Sequence, residues 1–272
     1  MILRTLGKNI LSYFPLLDGL FRRFFWSKWF FPENEMIFFK NLPKDSFDIS
    51  IDVGAALGSY AWLFSRISKT VYAFEPGVKH FEYLRAVIFF SRIKLSNLAI
   101  GDSSRVVNLY TPGNDTHALH SATLSDKNPI IDKSNSINVT KVKQVSLDDF
   151  FKNVQQDRTI DLLKVDVEGY ENIVFKGARY IIKKFKPIVI CEIEARHNKK
   201  YVQVFTFFKK LGYKCYILKL DKLVEYKENN IQEIQKFHDL QDRLSPSHNP
   251  KNNRYINNFL FQHPFSKVKV AA

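Results

Sequence analysis

The sequence predicts an α/β protein with an open, doubly wound and mostly parallel sheet. Three observations carry that reading. From Asp48 onward, short apolar runs of strand length alternate with stretches of helical periodicity, as βαβ units require. The first run, Ile49 to Val53, ends on a glycine-bounded turn, Gly54-Ala-Ala-Leu-Gly58. The strand ends marked by Asp52, Glu75, Asp102, Asp166 and Glu194 all carry acidic residues, although the 272-residue chain has a net charge of +14.

The elements follow in order. Ile49 to Val53 is a strand, Ser59 to Ile67 a helix, and Thr70 to Phe74 a second strand ending at Glu75-Pro76. Lys79 to Phe90 is a helix, and Lys94 to Ile100 a third strand. Residues 103–145 break the rhythm. Val106 to Tyr110 and Ile137 to Val145 read as strands around a polar stretch, and an insertion of this length suggests a substrate lid. Ser146 is placed to N-cap a short helix, with Asp149 at the reciprocal position. Ile160 to Val165 is a strand ending at Asp166, and Tyr170 to Phe185 a helix. Ile188 to Ile193 is a strand, Gln203 to Leu211 a helix, and Tyr213 to Leu220 and Tyr255 to Gln262 the last strands, with a polar connection between them.

The chain thus divides into an N-terminal extension, residues 1–47, and an α/β domain, residues 48–272. Within the extension, residues 16–31 read as an amphipathic helix. Leu16, Leu20, Phe21, Phe24 and Trp29 recur at helical spacing, with Arg22, Arg23 and Lys28 between them. That pattern suits a helix docked on the core or on a second subunit, and equally one lying in a membrane interface. The charges interrupt any span of about 20 apolar residues, so a transmembrane helix is not expected. Pro15 and Asp18 interrupt the signal-peptide pattern, which points to a cytoplasmic protein, peripheral at the inner membrane face if the helix binds lipid. Cys191 and Cys215 lack metal-ligand spacing and read as buried thiols. The positive charge invites an anionic partner, but no basic run interleaved with aromatics marks a nucleic-acid module, so nucleic acid is not the expected partner.

In an open α/β sheet, ligands bind beyond the carboxyl ends of the strands. There the sequence places Asp52 to Gly58, then Glu75, then Ala99 to Asp102, then Asp166, Glu168 and Glu171, then Glu192, Glu194 and His197. The first loop distinguishes cofactors. A dinucleotide fingerprint starting at Gly54 fails at Ala56 and Ser59, and no Walker A Gly-Lys-Ser/Thr is present. The pattern D-x-G-x-x-x-G is the looser turn of S-adenosylmethionine enzymes. Gly54 and Gly58 permit close backbone approach, Asp52 can reach a methionyl amino group, and Glu75 is placed to accept ribose hydroxyls. Ala99, Asp102, Asp166 and Glu168 complete the expected cofactor-binding set.

The runs Ile51-Asp-Val-Gly-Ala55, Tyr72-Ala-Phe-Glu-Pro76, Ser146-Leu-Asp-Asp-Phe150, Leu163-Lys-Val-Asp-Val-Glu-Gly-Tyr-Glu171 and Ile188-Val-Ile-Cys-Glu192 occur in that order. Together they resemble the motifs of the FkbM-type methyltransferases over roughly residues 48 to 263. The resemblance implies a class I methyltransferase (Rossmann-like) fold, with seven strands and the last antiparallel. It implies O-methylation, often of sugar hydroxyls in polysaccharides or of natural products, so the expected partner is a small-molecule or glycan acceptor. Ala56-Leu57 departs from the family's usual Asn-Ile or Asn-Val, which weakens a polar contact at position 56.

Methyl transfer to a hydroxyl benefits from alignment and from a base that takes the proton. His197 has a suitable ordinary pKa, with Glu194 and Asp166 as alternatives. Asp166, Glu168 and Glu194 offer a divalent metal an alternative site, but the sequence does not demand one and no metal is predicted. Two competing readings stand beside this one. One is a nucleotide-sugar glycosyltransferase using Asp166 and Glu168 as its metal motif. The other is a non-catalytic scaffold bound to membrane through its N-terminal helix.

Overall fold

The computed structural model describes residues 36–88, 92–113, 122–129, 131, 136–153, 157–219, 222–227, 230–235 and 256–270. The amphipathic stretch 16–31 lies outside the described residues.

The main sheet is built from β1 (Phe47–Val53), β2 (Ser68–Phe74), β3 (Ile93–Ser96), β7 (Ile160–Val165), β8 (Ile188–Glu192), β9 (Lys214–Lys219), β10 (Lys222–Glu225) and β11 (Asn258–Gln262). Their spatial order is β10-β9-β11-β8-β7-β1-β2-β3. The five strands from β3 to β8 are parallel. β11 inserts antiparallel between β8 and β9. Every residue of β1 is buried, as expected of a central strand covered on both faces.

One face packs Ile49, Ile51, Val53, Leu163, Val165, Val189 and Phe261 against α5 (Glu171–Lys176), α6 (Arg179–Phe185) and α7 (Val202–Lys210). The other packs Val71, Ala73, Leu162, Ile190 and Leu260 against α1 (Ile37–Lys40), α2 (Ser59–Ile67) and α3 (Val78–Val87). A short helix, α4 (Leu147–Phe150), follows the last strand of a smaller sheet, and α8 (Gln232–Gln235) lies between β10 and β11.

Four expectations are corrected. Among the described residues the main sheet has eight strands, where seven are expected. The eighth, β10, is a hairpin return along β9. It lies in the stretch read as a polar connection, because a mostly exposed edge strand has no buried face to set a period of two. The run Lys94 to Ile100 is two strands. Asn97 donates its side-chain amide to the carbonyls of Glu75 and Pro76 (2.8 and 3.0 Å). Beyond it, β4 (Ala99–Gly101) leaves the main sheet for a three-stranded one, ordered β4-β6-β5.

There β5 (Arg105–Pro112) and β6 (Ile137–Ser146) form an antiparallel ladder of eight register pairs. The helix read as Tyr170 to Phe185 is broken at Gly177-Ala178, where backbone packs on backbone. A Cβ at Gly177 would lie 2.0 Å from the Gly101 carbonyl oxygen. Asp148 then caps α6, its carboxylate accepting from the N–H of Tyr180 and Ile181 (2.9 and 3.0 Å). Ser146 caps α4 as expected, accepting from Asp149 N–H at 3.0 Å and donating to the Asp149 carboxylate at 2.7 Å.

Candidate active site

The turn after β1 is shaped by three left-handed residues: Gly54 and Gly58, both at φ +79°, and Ala56 at φ +45°. The N–H groups of Gly54 and Ala55 both donate to the Phe74 carbonyl at 3.0 Å, tying the turn to β2. A Cβ at Gly54 would sit 1.8 Å from the Asp166 carbonyl oxygen. The glycine therefore lets the first turn close directly over the end of β7. Asp52, the last residue but one of β1, is 2% exposed.

Glu75 follows β2 and is 4% exposed. Its Oε2 accepts from Ala56 N–H at 2.8 Å and its Oε1 from Gly77 N–H at 2.7 Å. The carboxyl is thus locked to the glycine-bounded turn itself. Burial pushes its pKa up to about 7, against the lowering effect of the two amides. His80 from α3 faces the same carboxylate, Nδ1 to Oε1 3.9 Å.

The end of β7 carries the densest chemistry. Lys164 is 1% exposed in a strand whose every residue is buried. It stands in register with Asp52 on β1, so the two side chains share a face of the sheet. Its Nζ donates to Asn258 Oδ1 of β11 at 3.0 Å, lies 3.5 Å from Asp166 Oδ2, and sits 4.8 Å from the Tyr60 ring centroid. Asp166 is the more open partner, its side chain 29% exposed.

Beyond it the chain turns through Glu168 (φ +46°) and Gly169 (φ +94°). A non-glycine residue held in that region costs about 1–2 kcal/mol. Here the turn is braced by its partners. A Cβ at Gly169 would lie 2.6 Å from the His197 carbonyl oxygen, so the turn packs on the loop that follows β8. Glu171, 2% exposed, joins the two: its Oε1 accepts from Gly169 N–H (2.7 Å) and its Oε2 from the Asn198 amide (2.6 Å). Burial raises its pKa to about 7.

Across this seam His197 Nδ1 is paired with Glu168 Oε2 and lies 3.6 Å from Glu194 Oε2. Glu194 is itself paired with Arg196 Nε. Burial raises the Glu168 carboxyl, and the His197 contact opposes that shift. The Glu168 carboxylate lies against Nδ1 as an ion-pair contact, without hydrogen-bond geometry.

The structure thus brings Asp166, Glu168, Glu194 and His197 together at one edge of the sheet, and Asp52, Gly54, Gly58 and Glu75 around the neighbouring turn. Ala99 and Asp102 lie in and after β4 of the smaller sheet. Asp102 is held by Lys176 Nζ (2.8 Å) and Arg105 Nη1 (3.1 Å), and the Lys176 bond lowers its pKa. At the corresponding end of β3 stands Asn97, on the backbone of Glu75.

Sequence reasoning missed Lys164, Asn258, Thr123, Asn128 and Asn198. Only Lys164 left a signal, a charge inside a buried strand. Among the described residues, no set of three or more His, Cys, Asp or Glu side chains converges as a metal ion requires.

Fold and site define an α/β domain with a glycine-bounded turn and a histidine set among acidic side chains at the carboxyl ends of its parallel strands. A model of the methyltransferase FkbM domain matches residues 52–215, more than half of the chain. The chain belongs to the FkbM methyltransferase family.

Among solved structures, it is similar to the methyltransferase FkbM of Methylobacillus flagellatus KT, with 18% identity and a TM-score of 0.46, over 80% of this chain and 44% of that one. It therefore spans less than half of that protein's length. Also similar are the precorrin-6y C5,15-methyltransferase of Geobacter metallireducens GS-15 (8% identity, TM-score 0.39, 74% and 87% coverage) and the O-methyltransferase of Bacillus cereus in complex with SAH (11%, 0.39, 85% and 80%). No curated protein sequence matches the chain. Membership of a methyltransferase family leaves the glycosyltransferase reading without support, and Glu168, half of its metal motif, is turned onto His197.

Proposed function

We propose that the protein is an S-adenosylmethionine-dependent O-methyltransferase that modifies a hydroxyl of a sugar, a glycan or a related natural product. The observation that supports this reading is the His197 imidazole, paired with Glu168 on the loop after β8, at the same strand ends as the turn from Asp52 to Gly58 and separated from it by β7.

The residues present fit the cofactor. Gly54 leaves no side chain in the turn, Asp52 is a buried carboxylate at the strand end, and Glu75 is fixed against Ala56. Asp52, Gly54, Gly58 and Glu75 would hold the methionyl and ribose portions. When bound, S-adenosylmethionine supplies an electrophilic methyl group. The chain's own part is to orient the acceptor hydroxyl and take its proton at His197 Nε2, a contribution of about 10²–10⁴-fold for general-base catalysis. Glu168 and Glu194 stabilise the resulting imidazolium. Asp166, more open than these two, is placed to orient the acceptor.

Segment 103–145 is proposed as the substrate-covering element, and residues 16–31 as a peripheral membrane contact. No helix of the described residues is long and apolar enough to cross a membrane.

Calorimetry with S-adenosylmethionine, S-adenosylhomocysteine, a UDP-sugar and NAD tests the cofactor. Binding is expected for the first two only, and folded protein giving no heat with either would overturn the reading. Glu75→Ala is expected to weaken S-adenosylhomocysteine at least about tenfold, the loss of hydrogen bonds worth about 1.4 kcal/mol or more. Mass analysis of a panel of glycans and lipid-linked sugars after incubation identifies the acceptor by a gain of one methyl group.

A further inference from the structure

The Glu168 carbonyl, directly before Gly169, accepts two hydrogen bonds from a segment remote in sequence: Thr123 Oγ1 at 2.7 Å and Asn128 Nδ2 at 2.6 Å. Both donors are 1% exposed. Two donors satisfy both lone pairs of that oxygen. The hydroxyl is oriented for the task, because Thr123 Oγ1 itself accepts from Ser125 N–H at 3.1 Å and so turns its proton toward Glu168. Thr123 is anchored in turn to β5, exchanging both backbone hydrogen bonds with Tyr110 (2.9 and 3.0 Å). The clasped residue is the one at φ +46° whose carboxylate meets His197. A left-handed glutamate persists only where its surroundings over-determine it.

We propose that Thr123 and Asn128 are positioning residues for methyl transfer, acting through Glu168 to hold the turn that aims its carboxylate at His197. The inserted segment is then a working part of the site, which it reaches without touching the reacting atoms. This inference rests on the proposed role of His197 as the base. Without the clasp, Glu168 relaxes from the left-handed region, its carboxylate leaves Nδ1, and the imidazole loses the anion that faces it. Glu194, with Arg196 on it, is the other charged group that faces the ring.

The test is the imidazole NMR spectrum of full-length protein labelled with 15N-histidine, His197 being assigned by its loss in His197→Gln. Wild type is expected to show His197 ring resonances shifted by the adjoining carboxylate, a shift that Glu168→Gln removes. The double variant Thr123→Val, Asn128→Ala is expected to remove it too, whereas Thr123→Ser, which keeps the hydroxyl, retains it. With an acceptor in hand, kcat of the double variant should fall about 10²-fold, the scale of a 1 Å misplacement, with S-adenosylhomocysteine affinity unchanged.

A folded double variant with the wild-type His197 resonance overturns the proposal. If the double variant does not fold, the two single variants decide: both keeping the resonance overturns it, and loss in either sustains it. Failure of wild type to bind S-adenosylhomocysteine would instead remove the proposed function, while the His197 resonance reports on the clasp either way.

Discussion

Ala56 occupies a left-handed position, φ +45°, between two glycines that adopt the same region freely. An alanine Cβ there is strained by about 1–2 kcal/mol, and asparagine tolerates the conformation better. Ala56→Asn is therefore expected to raise stability by about 0.5–1 kcal/mol, or about 1–4 °C in Tm, read by calorimetry. Lys164 presents the opposite case. Its ammonium is buried among Asn258, Asp166 and the Tyr60 ring. Lys164→Met removes the cation and leaves those polar partners behind, an error that costs about 3–5 kcal/mol for a broken buried pair. Urea unfolding should show that loss as a lower midpoint. A stability within about 0.5 kcal/mol of wild type would mean that the partners are solvated instead.

At the scale of elements, what decides local structure is where backbone groups find partners. α6 begins because Asp148, 32 residues away from Tyr180, accepts from its N–H and the next. Asp148→Ala should cost about 1–2 kcal/mol, as loss of an N-cap does, and should lower Tm without altering S-adenosylhomocysteine affinity. The broken helix 170–185 and the split run 94–100 are related events. Gly177 approaches Gly101 so closely that no side chain fits, and β4 must leave the main sheet to make that contact. Hydrophobic periodicity runs straight through both breaks, so the sequence pattern alone reads each pair as one element.

Across the whole molecule, the candidate site places several carboxyls under cover, and this has a thermodynamic signature. Glu75 and Glu171 are both raised to about 7 by burial. A carboxyl whose folded pKa exceeds its unfolded one binds more protons in the native state. Stability therefore falls as pH rises from the ordinary glutamate value of 4.5 to about 7. The loss is at most about 3 kcal/mol for each group. Chemical denaturation at pH 5 and pH 8 should find the protein more stable at the lower pH. Glu75→Gln and Glu171→Gln should each flatten that dependence. A profile unchanged in both variants would place the protonation elsewhere.

The sequence by itself determined the alternation of strands and helices, the glycine-bounded turn, the acids at the strand ends and the family. These are carried by local patterns, repeated every two or 3.6 residues or spaced within one turn. Only the tertiary structure decided that Glu75 locks onto Ala56, that Glu171 bridges Gly169 and Asn198, and that Asp102 pairs with Lys176. It alone brought Thr123 and Asn128 onto Glu168, 45 and 40 residues away along the chain. Such contacts leave no trace in periodicity, because a hydrogen-bonding side chain reads the same whether it meets water or a carbonyl from a distant strand. The fold settles which of the two it meets, by burying the pair together.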